Sequence, residues 1–512
     1  MDSQSRTTKS LKNSVIAMIF YVVNLVLQFF SRKLFLEYLG TEILGLNTTA
    51  MNLLQFLNLA ELGISSAVGF TLYKPIYDDN RQMINEIVTL QGHLYRRIAW
   101  IIIGGAIILM CFFPWIFSKM DLPLWYAYAS FGILLFSALL GYFVNYRQIV
   151  LSASQQDYKI QYSYKSIMIV KVACQMLAVY RLPHGYVWWL ILEGSFAAIA
   201  SWTLHRMTLA TFPFLNTVND SFRTLRVRYP EFTTKIKQLF FHKIGGFALT
   251  QSSPIIIYAY ASLNVVTLYG NYILITTGIQ GLVSAIFNSM SAGVGNLVAE
   301  GNRQSILKVF DELFCIRFLI AATLCYCVYT LTPSFISLWI GSQFILPDST
   351  LILVDIVLFI SLVRLTVDNF INAYGLFSDI WAPIAEAVLN IGCSILLGYY
   401  YNLNGIIAGV ILSQVIIIIM WKPYFLFTKG LKGALTHYWK MFVINLIAAL
   451  SMAYVAMHIV QLIQLDFFSN FGSFIIIGAI NLIVYSFILL IALFLVTSGM
   501  RDFVYRFVKK VI

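Results

Sequence analysis

Charge is scarce in this chain. Asp, Glu, Lys and Arg together make up 11% of its 512 residues, whereas a typical soluble domain carries about 25%. A water-facing surface cannot be built from so few, so a soluble globular protein is excluded. The six cysteines (Cys111, Cys174, Cys315, Cys325, Cys327, Cys393) all fall inside or at the edge of apolar runs. None shows the paired loop spacing of a disulfide framework or metal site, so they read as free packing thiols. The six histidines are equally scattered, and no metal ligand set emerges from them. No GxxxxGK[ST] phosphate loop is present, so an ATP-driven pump would need another subunit. No polar segment is long enough to house a catalytic domain. A membrane-embedded glycan polymerase or transferase therefore ranks below a transporter, and no catalytic residue, metal or cofactor is expected.

Hydrophobic runs fill the space that charge leaves. The chain is 60% hydrophobic with a mean hydropathy of +0.80, and runs of about 20 apolar residues recur from end to end, each long enough to cross a bilayer. We count about fourteen spans, from 14–36 to 472–497. The segment MDSQSRTTKSLKNS leads into the first with no small-residue cleavage site after it, so that span is read as retained. The net charge of +12 would suit nucleic acid if it were clustered, but it is not. Lys74, Arg81, Arg96, Arg97, Arg147, Lys159, Lys422, Lys429, Lys432 and Arg501 sit in alternate connections or the tail. The opposite loops hold little beyond Lys33, Lys119 and Arg181. The positive-inside rule then places both termini in the cytoplasm, with the membrane and not nucleic acid as the partner.

The one long connection divides the chain. We expect a six-helix bundle over 1–206, a basic amphipathic linker over 207–238, a second six-helix bundle over 239–430, and an added helix pair with its tail over 431–512. A weak repeat supports the division. Tyr38–Asn47 (YLGTEILGLN) resembles Tyr260–Tyr269 (YASLNVVTLY), Leu151-Ser152-Ala153 matches Ile371-Asn372-Ala373, and Gly185 matches Gly405. Six spans per copy would enter the membrane in the same sense.

Polar residues inside the spans carry the functional signal. In 351–378, Ser361, Arg364, Asp368, Asn372, Gly375 and Asp379 follow helical steps and form one narrow stripe. Translocon-type scales charge about 2.5–3.5 kcal/mol for an Arg or Asp at a span centre, so such a stripe should face water or a partner helix. Arg364 and Asp368, one turn apart, could also simply neutralise each other. Further stripes are Asn24, Gln28 and Arg32; Gln55, Asn58, Glu61 and Ser65; Lys171 and Gln175, with Glu193 one span on; Gln280, Ser284, Asn288 and Ser291; and Glu386, Asn390 and Ser394. Arg32 could snorkel to headgroups, and amide and hydroxyl residues could serve only to join helices. Pro254, in FALTQSSPIIIYAYA, removes a backbone hydrogen bond near Thr250 and should bend its helix as a hinge or a static kink.

Several stretches resemble a known family: YLGTEILGLN, LNLAELGISSAVGF, TLYKPI, NYRQIVLSASQQDY (145–158), LYGNY (268–272) and VRLTVDNFINAYGLFSDIWAPIAEAVLN (363–390). They are similar to bacterial polysaccharide flippases of the Wzx type, in the MOP superfamily with drug/cation antiporters and the lipid II flippase. The resemblance implies two six-helix bundles forming a V, plus two C-terminal helices, in the bacterial inner membrane. It implies an O-antigen-type flippase that moves undecaprenyl-diphosphate-linked oligosaccharide outward by alternating access, coupled to Na⁺ or H⁺, alongside other polysaccharide-assembly proteins. The family's charged lumen would map onto Arg32, Glu61, Arg364, Asp368 and Glu386. Arg32, Arg364 and Lys171, with Asn58, Asn372 and Asn390, are then candidates for diphosphate and sugar. Glu61, Asp368 and Glu386 are candidates for the coupling ion. One departure is that Ser252 and Ser253 stand where many relatives carry an acidic residue. A cation-coupled multidrug exporter of the same fold is the main alternative.

Overall fold

The computed structural model describes residues 6–61, 64–230, 236, 252–288, 291–376, 378–462 and 470–511, and there is no strand among them. Backbone polar groups in hydrocarbon must be satisfied internally, and a helix does so within one segment. The main helices are α1 (Arg6–Leu57), α2 (Ile64–Tyr77), α3 (Arg81–Cys111), α4 (Trp125–Phe143), α5 (Ser166–Arg181), α6 (Gly185–Thr211) and α7 (Leu263–Asn288). They continue with α8 (Arg303–Trp339), α9 (Asp348–Ala373), α10 (Trp381–Gln414), α11 (Leu435–Leu462), α12 (Phe471–Val496) and α13 (Ser498–Val511). Among the described residues, nine helical stretches are long and apolar enough to cross a membrane. The protein is a multi-pass, all-α membrane protein.

Two of the long helices are interrupted where the sequence places span ends. α1 has 52 residues and, unbroken, would run about 78 Å against roughly 30 Å of hydrocarbon. It breaks at Gly40 (φ 85°, ψ 172°), a conformation glycine adopts without Cβ strain. α10 breaks at Asn402 (φ 50°, ψ −130°). Its second half then doubles back so closely that a Cβ on Gly405 would lie 2.0 Å from the Leu397 carbonyl oxygen.

The chain divides into two compact units, Met1–Thr267 and Leu268–Ile512. In the first, α5 packs on α1 and α6, while α4 packs on α1, α3 and α6. Here the two copies of the repeated segment meet. The Thr267 hydroxyl donates to the Thr41 carbonyl at 2.7 Å, and Thr41 Oγ1 lies 2.5 Å from Asn264 Oδ1. Gly45 faces the Leu263 carbonyl, where a Cβ would sit 2.3 Å away.

The connection after α6 is strapped to the start of α3. Asn85 donates to the Phe214 carbonyl (2.9 Å), and the Val218 amide donates to Thr89 Oγ1 (3.0 Å). The Tyr229 hydroxyl donates to Glu86 Oε2 at 2.6 Å, and Arg228 pairs with Glu86 Oε1 at 2.8 Å. Burial and the Glu86 carboxylate hold the Tyr229 phenol well above its ordinary range, so it remains a donor. Of the expected amphipathic linker, Phe222–Arg228 is a short helix with Leu225 buried; residues 231–235 and 237–251 lie outside the described residues.

In the second unit α8 is the spine, packed against α9, α12 and α13. Phe310, Phe314, Phe318, Phe370, Phe427 and Tyr438 are almost wholly buried. They meet edge-on in places, with Phe310–Phe370 at 5.1 Å and Phe314–Tyr438 at 5.4 Å. Lipid tails are as apolar as these rings, so packing and ring geometry hold the cluster, at about 0.5–1.5 kcal/mol per pair. α13 docks on α8 through Arg506 with Glu312, and through Lys308 with Asp502 at 3.4 Å.

Candidate functional site

The structure sorts the sequence-derived polar residues into separate clusters. In the N-terminal unit α1 ends in a tight turn over Asn58–Glu61, which aims Glu61 at α3 and α4. Glu61 Oε1 accepts from Tyr95 Oη at 2.9 Å and from Ser65 Oγ at 3.0 Å, while Oε2 accepts from Tyr142 Oη at 2.9 Å. Tyr142 Oη also lies 3.1 Å from Asn58 Oδ1, and Ser65 Oγ lies 2.6 Å from Tyr95 Oη. Three hydroxyl protons thus face five close oxygen–oxygen contacts. Among the described residues no basic side chain forms an ion pair with this carboxylate.

Lys171 and Glu193 form a different kind of contact. Lys171 Nζ lies 2.8 Å from Glu193 Oε1, with side-chain exposures of 13% and 11%. Gln175 donates to Glu193 Oε2 at 3.0 Å and to the Trp189 carbonyl at 3.1 Å. Lys171 and Gln175 on α5 thus each donate to one oxygen of Glu193 on α6. Arg32 is placed elsewhere again: its Nη2 donates to the Thr267 carbonyl at 3.1 Å, which ties α1 to the start of α7.

The stripe on α9 is where charges of both signs gather. Arg364 Nε donates to Asp368 Oδ2 at 2.8 Å. The other oxygen, Oδ1, accepts from Lys422 Nζ at 2.7 Å. Lys422 begins the four-residue α-helical stretch Lys422–Phe425, between the wide π-helical turns Val415–Trp421 and Leu426–Gly430. Pro423 lacks an N–H and crowds the preceding turn, a reason for the widening. Such π turns are uncommon and often mark functional positions. Asn372 is exposed one turn beyond Asp368, near the end of α9. Asp379 accepts from Trp421 Nε1 at 3.3 Å, and Trp421 meets Trp381 edge-on at 4.5 Å.

Glu386, Asn390 and Ser394 form the buried face of α10. Glu386 lies within electrostatic range of Arg364, Lys422 and Asp368, and its buried Oε1 makes no hydrogen bond. Pro254 lies in the helical stretch 252–260, but Thr250, where its bend was expected, is outside the described residues. Sequence reasoning missed Lys422 as a site residue because the positive-inside count already explained it. Its only local signal is Pro423 beside it, at the end of an apolar span.

No family model and no curated protein matches the sequence. Solved structures do match the fold. One is the lipid II flippase MurJ in an inward closed conformation, 13% identical, covering 94% of this chain and 99% of that one, with a TM-score of 0.66. Another is an inward-facing multidrug resistance MATE family transporter of the MOP superfamily. It is 12% identical and covers 84% of this chain and 99% of that one, with a TM-score of 0.58. At such identities the likeness defines the fold. This is a polytopic all-α membrane protein with the fold shared by those two transporters.

Proposed function

We propose that the protein flips undecaprenyl-diphosphate-linked oligosaccharide from the cytoplasmic to the outer leaflet of a bacterial inner membrane, for surface polysaccharide biosynthesis. The observation that carries this reading is the cluster of Arg364, Asp368 and Lys422 inside otherwise apolar helices. Guanidinium and ammonium groups at membrane depth suit a phosphate headgroup, and Arg in particular binds phosphate oxygens through two parallel hydrogen bonds. The similarity to a lipid II flippase over 94% of the chain supports it, against 84% for the MATE transporter.

Arg364 receives the diphosphate in this reading, and Arg32 is a further candidate cation for it. Asn58, Asn372 and Asn390 supply amides for sugar hydroxyls. Glu61, held by hydroxyls and without a basic partner among the described residues, is the carboxylate placed to bind a coupling proton or Na⁺. Lys171, closed against Glu193, acts as a lock between α5 and α6. Translocation proceeds by alternating access with no covalent step, and the cell's other polysaccharide-assembly proteins supply and consume the cargo.

Surface glycan is the readout. Cells carrying Arg364→Ala at normal protein level should lose it, and unchanged glycan would refute the role of Arg364. A cation-coupled drug exporter is the competing outcome: drug resistance on expression, with no flipping of a lipid-linked oligosaccharide in proteoliposomes, would favour it.

A further inference from the structure

We propose that Lys422 is a second anion-binding cation beside Arg364, and that Asp368 is a resident anion which a diphosphate group displaces from both. The proposal deepens the flippase reading and rests on it for the source of the diphosphate.

The geometry differs from that of a helix lock. Locking needs one cation per carboxylate, as Lys171 and Glu193 demonstrate in the same molecule. Asp368 instead holds two, one on each oxygen: Arg364 from its own helix and Lys422 from 54 residues further along the chain. Desolvating a second cation costs several kcal/mol that a single carboxylate does not return. Two cations thus share one directly bonded carboxylate, with Glu386 and Arg317 as further charged groups within electrostatic range of the clamp.

The donors are also left open. Arg364 contacts Asp368 through Nε, and among the described residues its two terminal nitrogens form no hydrogen bond. Lys422 spends one of three N–H groups on Asp368. Side-chain exposures of 25% for Arg364, 21% for Asp368 and 18% for Lys422 exceed those of the Lys171–Glu193 lock. The clamp is therefore the more accessible of the two clusters. Trp421, next in sequence to Lys422, pairs with Trp381, half of whose surface is exposed.

Exchange explains why the carboxylate is there at all. Two bare cations at membrane depth would repel each other and resist burial. Asp368 keeps them together between turnovers. A diphosphate offers more oxygens and more charge than one carboxylate, so it can take the Arg364 fork and the Lys422 ammonium together. Asp368 then turns away through its exposed side, and its return helps expel the headgroup. Glu386, lacking a hydrogen bond at Oε1, opposes any anion that stays.

The test uses full-length protein in nanodiscs of uncharged lipid, titrated with inorganic pyrophosphate by calorimetry and by tryptophan fluorescence. Asp368→Asn should bind pyrophosphate roughly tenfold or more tightly, and Lys422→Gln roughly tenfold or more weakly, since hydrogen bonds to charged groups carry effects of that size. Lys422→Arg should retain binding. Wild-type affinity in Lys422→Gln, or unchanged or weaker affinity in Asp368→Asn, overturns the proposal. Should Asp368→Asn fail to fold, the two Lys422 variants decide, because equal affinity in both also overturns it. Farnesyl diphosphate in the disc should displace pyrophosphate at lower concentration than a nucleoside diphosphate does; the reverse order overturns the lipid-linked source. Pyrophosphate binding with these variant effects, but no lipid flipping in proteoliposomes, keeps the anion site and removes the flippase reading. Flipping unaffected by Lys422→Gln keeps the reading and removes the site.

Discussion

Thr267 donates its hydroxyl to the backbone carbonyl of Thr41 at 2.7 Å, joining the two segments that the repeat aligns. Under the offset that aligns Tyr38 with Tyr260, Thr41 corresponds to Leu263 and Gly45 to Thr267. The contacts are Thr41 with Thr267 and Gly45 with Leu263. The seam thus pairs each position with the counterpart of the other, as a two-fold related contact does.

This seam gives the first prediction. Gly45→Val would place a Cβ 2.3 Å from the Leu263 carbonyl oxygen and must force the segments apart. Thr41→Cys with Asn264→Cys should be joined by a short bifunctional thiol reagent, because the native side chains meet at 2.5 Å. Adding Gly45→Val should abolish the cross-link. Peptide mass spectrometry reads the result, and cross-linking that survives would show that the seam does not depend on close approach at Gly45.

Glu61 gives the second. Glu61→Gln keeps the shape of the side chain but cannot ionise, so it should stop surface glycan export while the protein still inserts and folds. Tyr142→Phe removes one donor to the Glu61 carboxylate and should cost about 1.5–3 kcal/mol of stability with partial export. Full export by Glu61→Gln would remove this carboxylate from the coupling role.

The Lys171–Glu193 pair gives the third. Replacing either residue alone by Ala leaves an unpaired charge among packed helices and should cost about 3–5 kcal/mol. Replacing both by Met should recover most of that in a thermal melt, and export should recover with it. If the stable double variant still fails to export, Lys171 touches the cargo.

The strap on α3 gives the fourth. Tyr229→Phe removes a hydrogen bond to a charged group, worth about 1.5–3 kcal/mol, so amide exchange over residues 222–229 should quicken by roughly tenfold or more. Because the phenol stays protonated well beyond neutrality, wild-type protection there should not vary across the neutral pH range. Identical exchange in the variant would show that backbone contacts through Asn85 and Thr89 suffice.

Much of the fold was legible because membrane spans are local. A run of about 20 apolar residues signals a helix whatever it packs against. The breaks at Gly40 and Asn402 agree with span ends read from hydropathy and small polar residues. The contact of Arg364 with Asp368 was legible too, since residues four apart on a helix share a face. The third member was not. Lys422 looks like any positive-inside lysine until the π-helical turns bring it to Asp368.

The sequence by itself determined the class, the span ends near Gly40 and Asn402, and which ionisable groups lie within apolar runs. Only the tertiary structure decided who houses whom: Lys171 with Glu193, Arg32 with a backbone carbonyl, and Glu61 among tyrosines. Hydropathy sums over neighbours in the chain, whereas these contacts depend on how each helix is rotated and how deep it sits. That rotation is set by packing between distant segments, and no local pattern encodes it.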